Sequence, residues 1–171
     1  MEPFQKARSL YTAGRMHDAL EAAQVAAERQ PKDAEAWWLL GCISRYTGLP
    51  AASDDAFKRA AQLSKQRPLP HRVDPEVFRR MVDEALGRLS PDARRRLDQA
   101  RVRVEPLPAL EAIVKGASPD SLLDRRHPAN RGQVAPNKGA GELVLFQVNF
   151  ENRSGSEAEL RQLVARTVSR A

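Results

Sequence analysis

The chain has 171 residues with a formal net charge of +6; 42% of its residues are hydrophobic and 29% charged. This balance belongs to a folded protein and excludes a disordered charged tail, and the length is read as two small domains sharing surface. One cysteine, Cys42, excludes both an intramolecular disulfide and a cysteine-rich zinc site.

Residues 1–65 repeat themselves. Gly14 matches Gly48, Ala7 matches Gly41 and Ala26 matches Ala60, each pair 34 positions apart, and Pro31 closes the first unit. Small residues at these places let paired helices approach closely, and the two glycines permit the turns between them. Asp33 is placed to cap the second unit's first helix, which presents Trp37, Leu40 and Ile43 inward. Two units leave an open end, so an amphipathic helix starting near Asp74 is expected to cover it.

Residues 66–73 form a polar connector in which Pro68 and Pro70 disfavour helix. Asp74-Pro75 then reads as a cap and first-turn proline, followed by an apolar face of Val77, Phe78, Met81, Val82, Ala85, Leu86 and Leu89. Ser90-Pro91 repeats the start signal for a shorter helix. Arg101-Val102-Arg103-Val104-Glu105 alternates as a half-buried strand does, ending at Pro106.

Residues 107–115 fit a short helix or turn. Residues 118–141, rich in Pro, Gly, Asn and Arg, are expected to form a long surface loop. Residues 142–150 make the strongest strand pattern of the chain. Ser156 and Glu159 then form a capping box ahead of a helix whose Leu160, Leu163, Val164, Thr167 and Val168 recur at helical spacing. Helices, strand, loop, strand and helix make an α+β plan, with domains at 1–65 and 74–171 joined by the linker 66–73.

The 34-residue period, with Ala36-Trp37-Trp38-Leu39-Leu40-Gly41 followed by Gly48, Phe57 and Ala60, resembles the tetratricopeptide repeat over residues 2–65. Ser53 and Ala23 depart from its usual residues. The order of segments in 74–171 resembles a family of small bacterial zincin-like metallopeptidase proteins. It rests on the helix 78–89 ending in Leu-Ser-Pro, the Val102-Arg103-Val104-Glu105-Pro106 strand, Leu143-Val144-Leu145-Phe146 with Asn149-Phe150-Glu151, and the helix 160–168. Together these resemblances imply tetratricopeptide-like α-helical hairpins packed on a small zincin-like α+β domain with a short sheet.

The second resemblance also implies a metal helix, which this chain does not carry. Arg170 stands at the first His of the His-Glu-x-x-His motif, Ala171 at its Glu, and the second His has no counterpart. A guanidinium offers no neutral nitrogen ligand and an alanine no general base. His17, His71 and His127 lack ligand spacing. Asn137-Lys138-Gly139-Ala140-Gly141 lacks the phosphate-loop pattern, Asp54 and Asp55 point apart on a helix, and Cys42 has no nearby base. No catalytic, cofactor or metal residue is therefore assigned, and a non-enzyme is expected.

Arginines such as Arg94, Arg95, Arg96, Arg101, Arg103, Arg125, Arg126 and Arg131 invite a nucleic-acid reading, but acids are interleaved and aromatics reach only 5%. That reading is disfavoured. No apolar run approaches the ~18 residues of a membrane span, and the first residues lack a secretory stretch, so a cytoplasmic protein with no membrane partner is expected.

The tetratricopeptide resemblance implies a groove, lined by the first helix of each unit, that receives another protein. Carried onto this chain, its contact residues are Arg8, Tyr11, Trp38, Cys42 and Arg45, with Phe4, Glu35 and Tyr46 beside them; Trp38 and Tyr46 packing against the second domain is the alternative. The expected function is non-catalytic: a regulator, inhibitor or chaperone-like partner of another protein, such as a protease. A metallopeptidase remnant or a subunit completed by another chain is the alternative, followed by nucleic-acid binding through the basic middle region.

Overall fold

The computed structural model describes residues 1–97, 99–127 and 141–171. Four helices come first: α1 (Pro3–Thr12), α2 (Met16–Arg29), α3 (Ala34–Tyr46) and α4 (Pro50–Leu63). They form two antiparallel pairs, each closed by a glycine in the left-handed region, Gly14 at φ +82° and Gly48 at φ +75°. The Asp33 side chain accepts from the Glu35 N–H at 2.9 Å, which is the expected cap. Their core is Ala7, Tyr11, Ala19, Ala23, Leu39, Cys42, Ile43 and Phe57. Trp37 is only partly buried and spends its indole N–H on the Pro31 carbonyl.

The second half runs α5 (Pro75–Gly87), α6 (Pro91–Leu97), β1 (Arg101–Glu105), α7 (Leu110–Val114), β2 (Leu123–Arg126), β3 (Glu142–Phe146), α8 (Gln147–Asn152) and α9 (Glu157–Ser169). The sheet order is β1-β3-β2, with β3 central, parallel to β1 and antiparallel to β2. Its middle residues Leu143, Val144 and Leu145 are fully buried, as the continuous apolar run of a two-sided strand requires. One face joins α5 and α9 in a second core around Phe78, Met81, Val82, Phe150, Leu160 and Val164. The other carries an ion-pair lattice in which Arg126 on β2 reaches Glu105 on β1 at 3.1 Å. The α+β expectation holds at this level.

Several local expectations are corrected. The strand stops at Phe146 instead of running to 150. β1 has ended at Glu105, Pro106 brings no N–H, and a lone strand continuing past its partners would leave its backbone unpaired. The chain winds into α8 instead, its Val148 N–H taken by the Pro106 carbonyl. The expected loop 118–141 contains strand β2, and its residues 128–140 lie outside the described residues. Asp74 makes no side-chain cap; Pro75 alone opens α5. At α9 the Ser156 hydroxyl does accept from the Glu159 N–H, but the Glu159 carboxylate closes on Gly155 N–H, one residue further upstream than a capping box.

The helix near Asp74 does not cover the repeat, because α5 spends its apolar face on α9 and the sheet. The short helix α7 does so instead. Ile113 completes the first core, and the α1–α2 turn receives it so closely that a Cβ on Gly14 would stand 3.1 Å from Val114 Cγ2.

Gly41 is the tighter constraint, since a Cβ there would sit 2.7 Å from the ring of the fully buried Phe57. Replacing a helix glycine by alanine ordinarily gains about 1 kcal/mol. Gly41→Ala should instead destabilise by about 1–2 kcal/mol through overpacking. A thermal melt showing a higher Tm would contradict this.

Candidate functional site

Helix α1 presents Phe4, Arg8 and Tyr11 at i, i+4 and i+7, and α3 presents Glu35, Trp38 and Cys42 at i, i+3 and i+7. This spacing aligns each set on one face, and the two faces meet at a recess of ≈ 230 Å³. The opposite wall comes from the second half and the connector: Arg67, Asp120, Asn149, Asn152 and Arg153.

Much of the repeat face is taken by residues 119–121. The Tyr11 hydroxyl donates to Asp120 Oδ1 at 2.7 Å and the Tyr46 hydroxyl to the Pro119 carbonyl at 3.1 Å. From the other side Asn149 Nδ2 donates to the Pro119 and Ser121 carbonyls at 2.9 and 2.8 Å, and Arg153 to the Asp120 carbonyl at 2.6 Å. The segment is thus held by both halves.

Trp38 is partly buried, tilted on Phe57 with ring centroids 4.8 Å apart and roofed by the Arg67 guanidinium at 4.4 Å. Arg67 Nε in turn donates to Glu35 Oε1 at 2.7 Å. That hydrogen bond, with the Arg67 charge, holds the Glu35 carboxyl below its usual range and raises Arg67. Arg8 and Arg153 also line the recess, yet neither forms an ion pair with a carboxylate among the described residues.

Of the residues expected to contact a partner, Arg8, Tyr11, Trp38 and Cys42 come together here. Arg45 does not: it lies outside the lining and faces Asp54 at 3.9 Å. Tyr11 and Trp38 are committed to internal contacts, and Cys42 is buried. Arg67, Asp120, Asn149, Asn152 and Arg153 were missed, because the sequence put them in a connector, a loop, a strand and its end. The alternation Gln147-Val148-Asn149-Phe150-Glu151 conceals a helix, and only Pro106 at the end of β1 hinted that β3 would lose its partner.

Beside the recess lies a partly buried polar network. Arg72 donates to Asp54 Oδ1 at 2.9 Å and Asn152 Oδ1 at 2.8 Å, approaches Glu151 at 3.4 Å, and sits over the Phe57 ring. Glu151 is 3% exposed and accepts from the Val73 N–H at 2.8 Å and from Gln147 Nε2 at 3.2 Å. Residues 66–73 are therefore a clamp as well as a connector.

Among the described residues no group of three or more His, Cys, Asp or Glu is placed to hold a metal ion, and no helix is long and apolar enough to cross a membrane. No family model, curated protein or solved structure matches the chain.

Arg72→Ala should cost about 3 kcal/mol, because it strands a buried carboxylate; urea unfolding that shows a loss under about 1 kcal/mol would dismiss the network as a structural clamp. A second expectation concerns alkali. Burial is the largest cause raising Tyr11, Tyr46 and Cys42, and the Asp120 charge adds to it in all three. Their protons are lost first from the unfolded chain, near about 8.5 for the thiol and about 10 for the phenols. The native state then holds more protons than the unfolded state, so stability present below pH 8.5 should fall as pH rises above it. Tyr11→Phe together with Tyr46→Phe should flatten the part of this fall above pH 10, and an unchanged slope in Tm against pH would refute the assignment.

Proposed function

We propose that this chain is a non-catalytic interaction protein that regulates, inhibits or chaperones another protein, such as a protease. Its recess takes a carboxylate-bearing side chain or chain end of that partner. The single observation behind this is the pair Arg8 and Arg153, two guanidinium groups that line one recess and form no ion pair among the described residues, the two carboxylates of the lining being engaged elsewhere, Glu35 by Arg67 and Asp120 by Tyr11. Planar guanidinium groups bind carboxylates through paired N–H donors, and the partly apolar surroundings of Phe4 and Trp38 strengthen such a contact. A volume of ≈ 230 Å³ suits a side chain or terminus better than an extended peptide. Residues 119–121 already fill the rest of the repeat face.

In this reading residues 1–65 act as a tetratricopeptide-like module and residues 74–171 as a zincin-like domain without its metal helix. Cys42 does not serve as a nucleophile in this reading: it is buried, with its thiol pushed well above its ordinary range, and thiolate chemistry needs the opposite.

The test is capture from native extract with the tagged full chain, beside metal analysis of the purified protein. A stoichiometric protein partner should appear and be lost with Arg8→Glu/Arg153→Glu; because Arg153 also holds the Asp120 carbonyl, Arg8→Glu alone, which breaks no described side-chain hydrogen bond, should weaken capture with the Tm kept. A partner retained by that double variant, or stoichiometric zinc in the purified chain, would overturn the proposal. Trp38→Ala does not serve here, because its contacts with Phe57 and Arg67 make it a stability variant.

A further inference from the structure

A second feature stands apart from the recess, in the valley between α5 and α9. Met81 and Ala85 lie at i and i+4 on α5, with Leu89 two residues beyond its end, and Arg161, Ala165 and Ser169 lie at i, i+4 and i+8 on α9. The α9 row is about 12 Å long, from eight steps of about 1.5 Å. The helices run in the same direction, since ahead of them the His71 N–H bonds the Ser154 carbonyl, and beyond α5 Arg96 reaches the Ser169 carbonyl at the end of α9. The valley has a volume of ≈ 320 Å³.

Two neighbouring helices leave a valley between them along which a third helix can pack. Its floor is small and apolar: Met81 and Ala85 are buried, and Ala165 is exposed with no side chain long enough to fill the space above it. Its rim is cationic. Arg88 and Arg166 line it and form no ion pair among the described residues. Arg96 closes one end by donating to the Ser169 carbonyl at 2.8 Å. The acid lining the valley, Glu84, is already engaged by Arg161. No aromatic ring lies in the lining for a nucleotide base to stack on, whereas alanines on the floor suit a close helix backbone.

We infer that this valley docks an acidic amphipathic helix of a protein partner, seating about two turns of it. Its apolar face lies on Ala85 and Ala165, and its Asp or Glu side chains meet Arg88 and Arg166. The inference does not rest on the recess.

The experiment is selection of displayed peptides of roughly 14 residues, randomised on a helical frame, against the full chain. Isolated peptides are then measured by fluorescence anisotropy. The expected result is enrichment of helices with apolar residues at i, i+3 and i+4 flanked by Asp or Glu. Their binding should fall at least about tenfold with Ala165→Trp, which fills the valley, and with Arg88→Glu/Arg166→Glu, which reverses its rim. Arg8→Glu/Arg153→Glu should leave it unchanged. All four arginines and Ala165 are exposed, and circular dichroism verifies folding; should Ala165→Trp misfold, the rim variant decides alone. Enrichment of basic or neutral helices, no enrichment, or binding indifferent to Arg88→Glu/Arg166→Glu overturns the inference. So does an oligonucleotide that binds through Arg88 and Arg166 irrespective of Ala165, or a dimer of this chain in sedimentation that Ala165→Trp abolishes.

Discussion

The fold depends on one costly arrangement, a six-residue helix buried along its whole length although four of its residues are polar or charged. Gln147, Asn149, Glu151 and Asn152 of α8 are each under a tenth exposed. Burying such groups is unfavourable unless each finds a partner. Among the described residues no buried side-chain polar atom lacks one. The partners come from elsewhere in the chain: Arg72 and the Val73 backbone from the connector, and the carbonyls of Pro119 and Ser121 from the segment after α7. Apolar contacts alone would tolerate the two halves sliding over each other. This set of directional bonds does not, and it selects a single way for them to dock.

That arrangement also explains how the recess arises. Asn149 and Asn152 belong to α8, and Arg153 follows it, so the helix that secures the junction also supplies part of the wall facing α1 and α3. Asn149 holds Pro119, and its neighbour Asp120 accepts from Tyr11. The cavity is therefore a product of docking, and the repeat face by itself does not contain it. Of the cations on its wall, Arg67 is paired with Glu35, Arg153 donates to the Asp120 carbonyl, and Arg8 forms no ion pair among the described residues.

Legibility followed the range of the interactions involved. The helix pairs were readable because their determinants are local: Gly14 and Gly48 at matching turns, Asp33 as a cap, and apolar residues at helical spacing. The central strand was readable from Leu143-Val144-Leu145-Phe146, although its end was not, since that depends on where β1 happens to stop. β2 escaped notice because its sequence, Leu-Asp-Arg-Arg, is strand only by virtue of pairing with a buried neighbour. The site was half visible. Its α1 and α3 residues followed from helical periodicity, but Arg67, Asp120, Asn149 and Arg153 are brought there by long-range packing that no local pattern encodes. Arg45 went astray for a related reason: Asp54, one helix further on, takes its charge.

Ile113 belongs to the core of the first four helices, yet it lies 50 positions beyond Leu63, the last residue of α4 (113 − 63). On a ribosome adding about 5–20 residues per second, the four helices would be complete for several seconds before the residue that seals them is synthesised. During that interval the crease at Gly14 and the aromatic pair Tyr11 and Tyr46 lack the cover that the finished fold gives them. Such a stretch of exposed apolar surface is what a nascent-chain chaperone engages, so the placement of Ile113 makes synthesis, and not only the finished fold, a period of vulnerability.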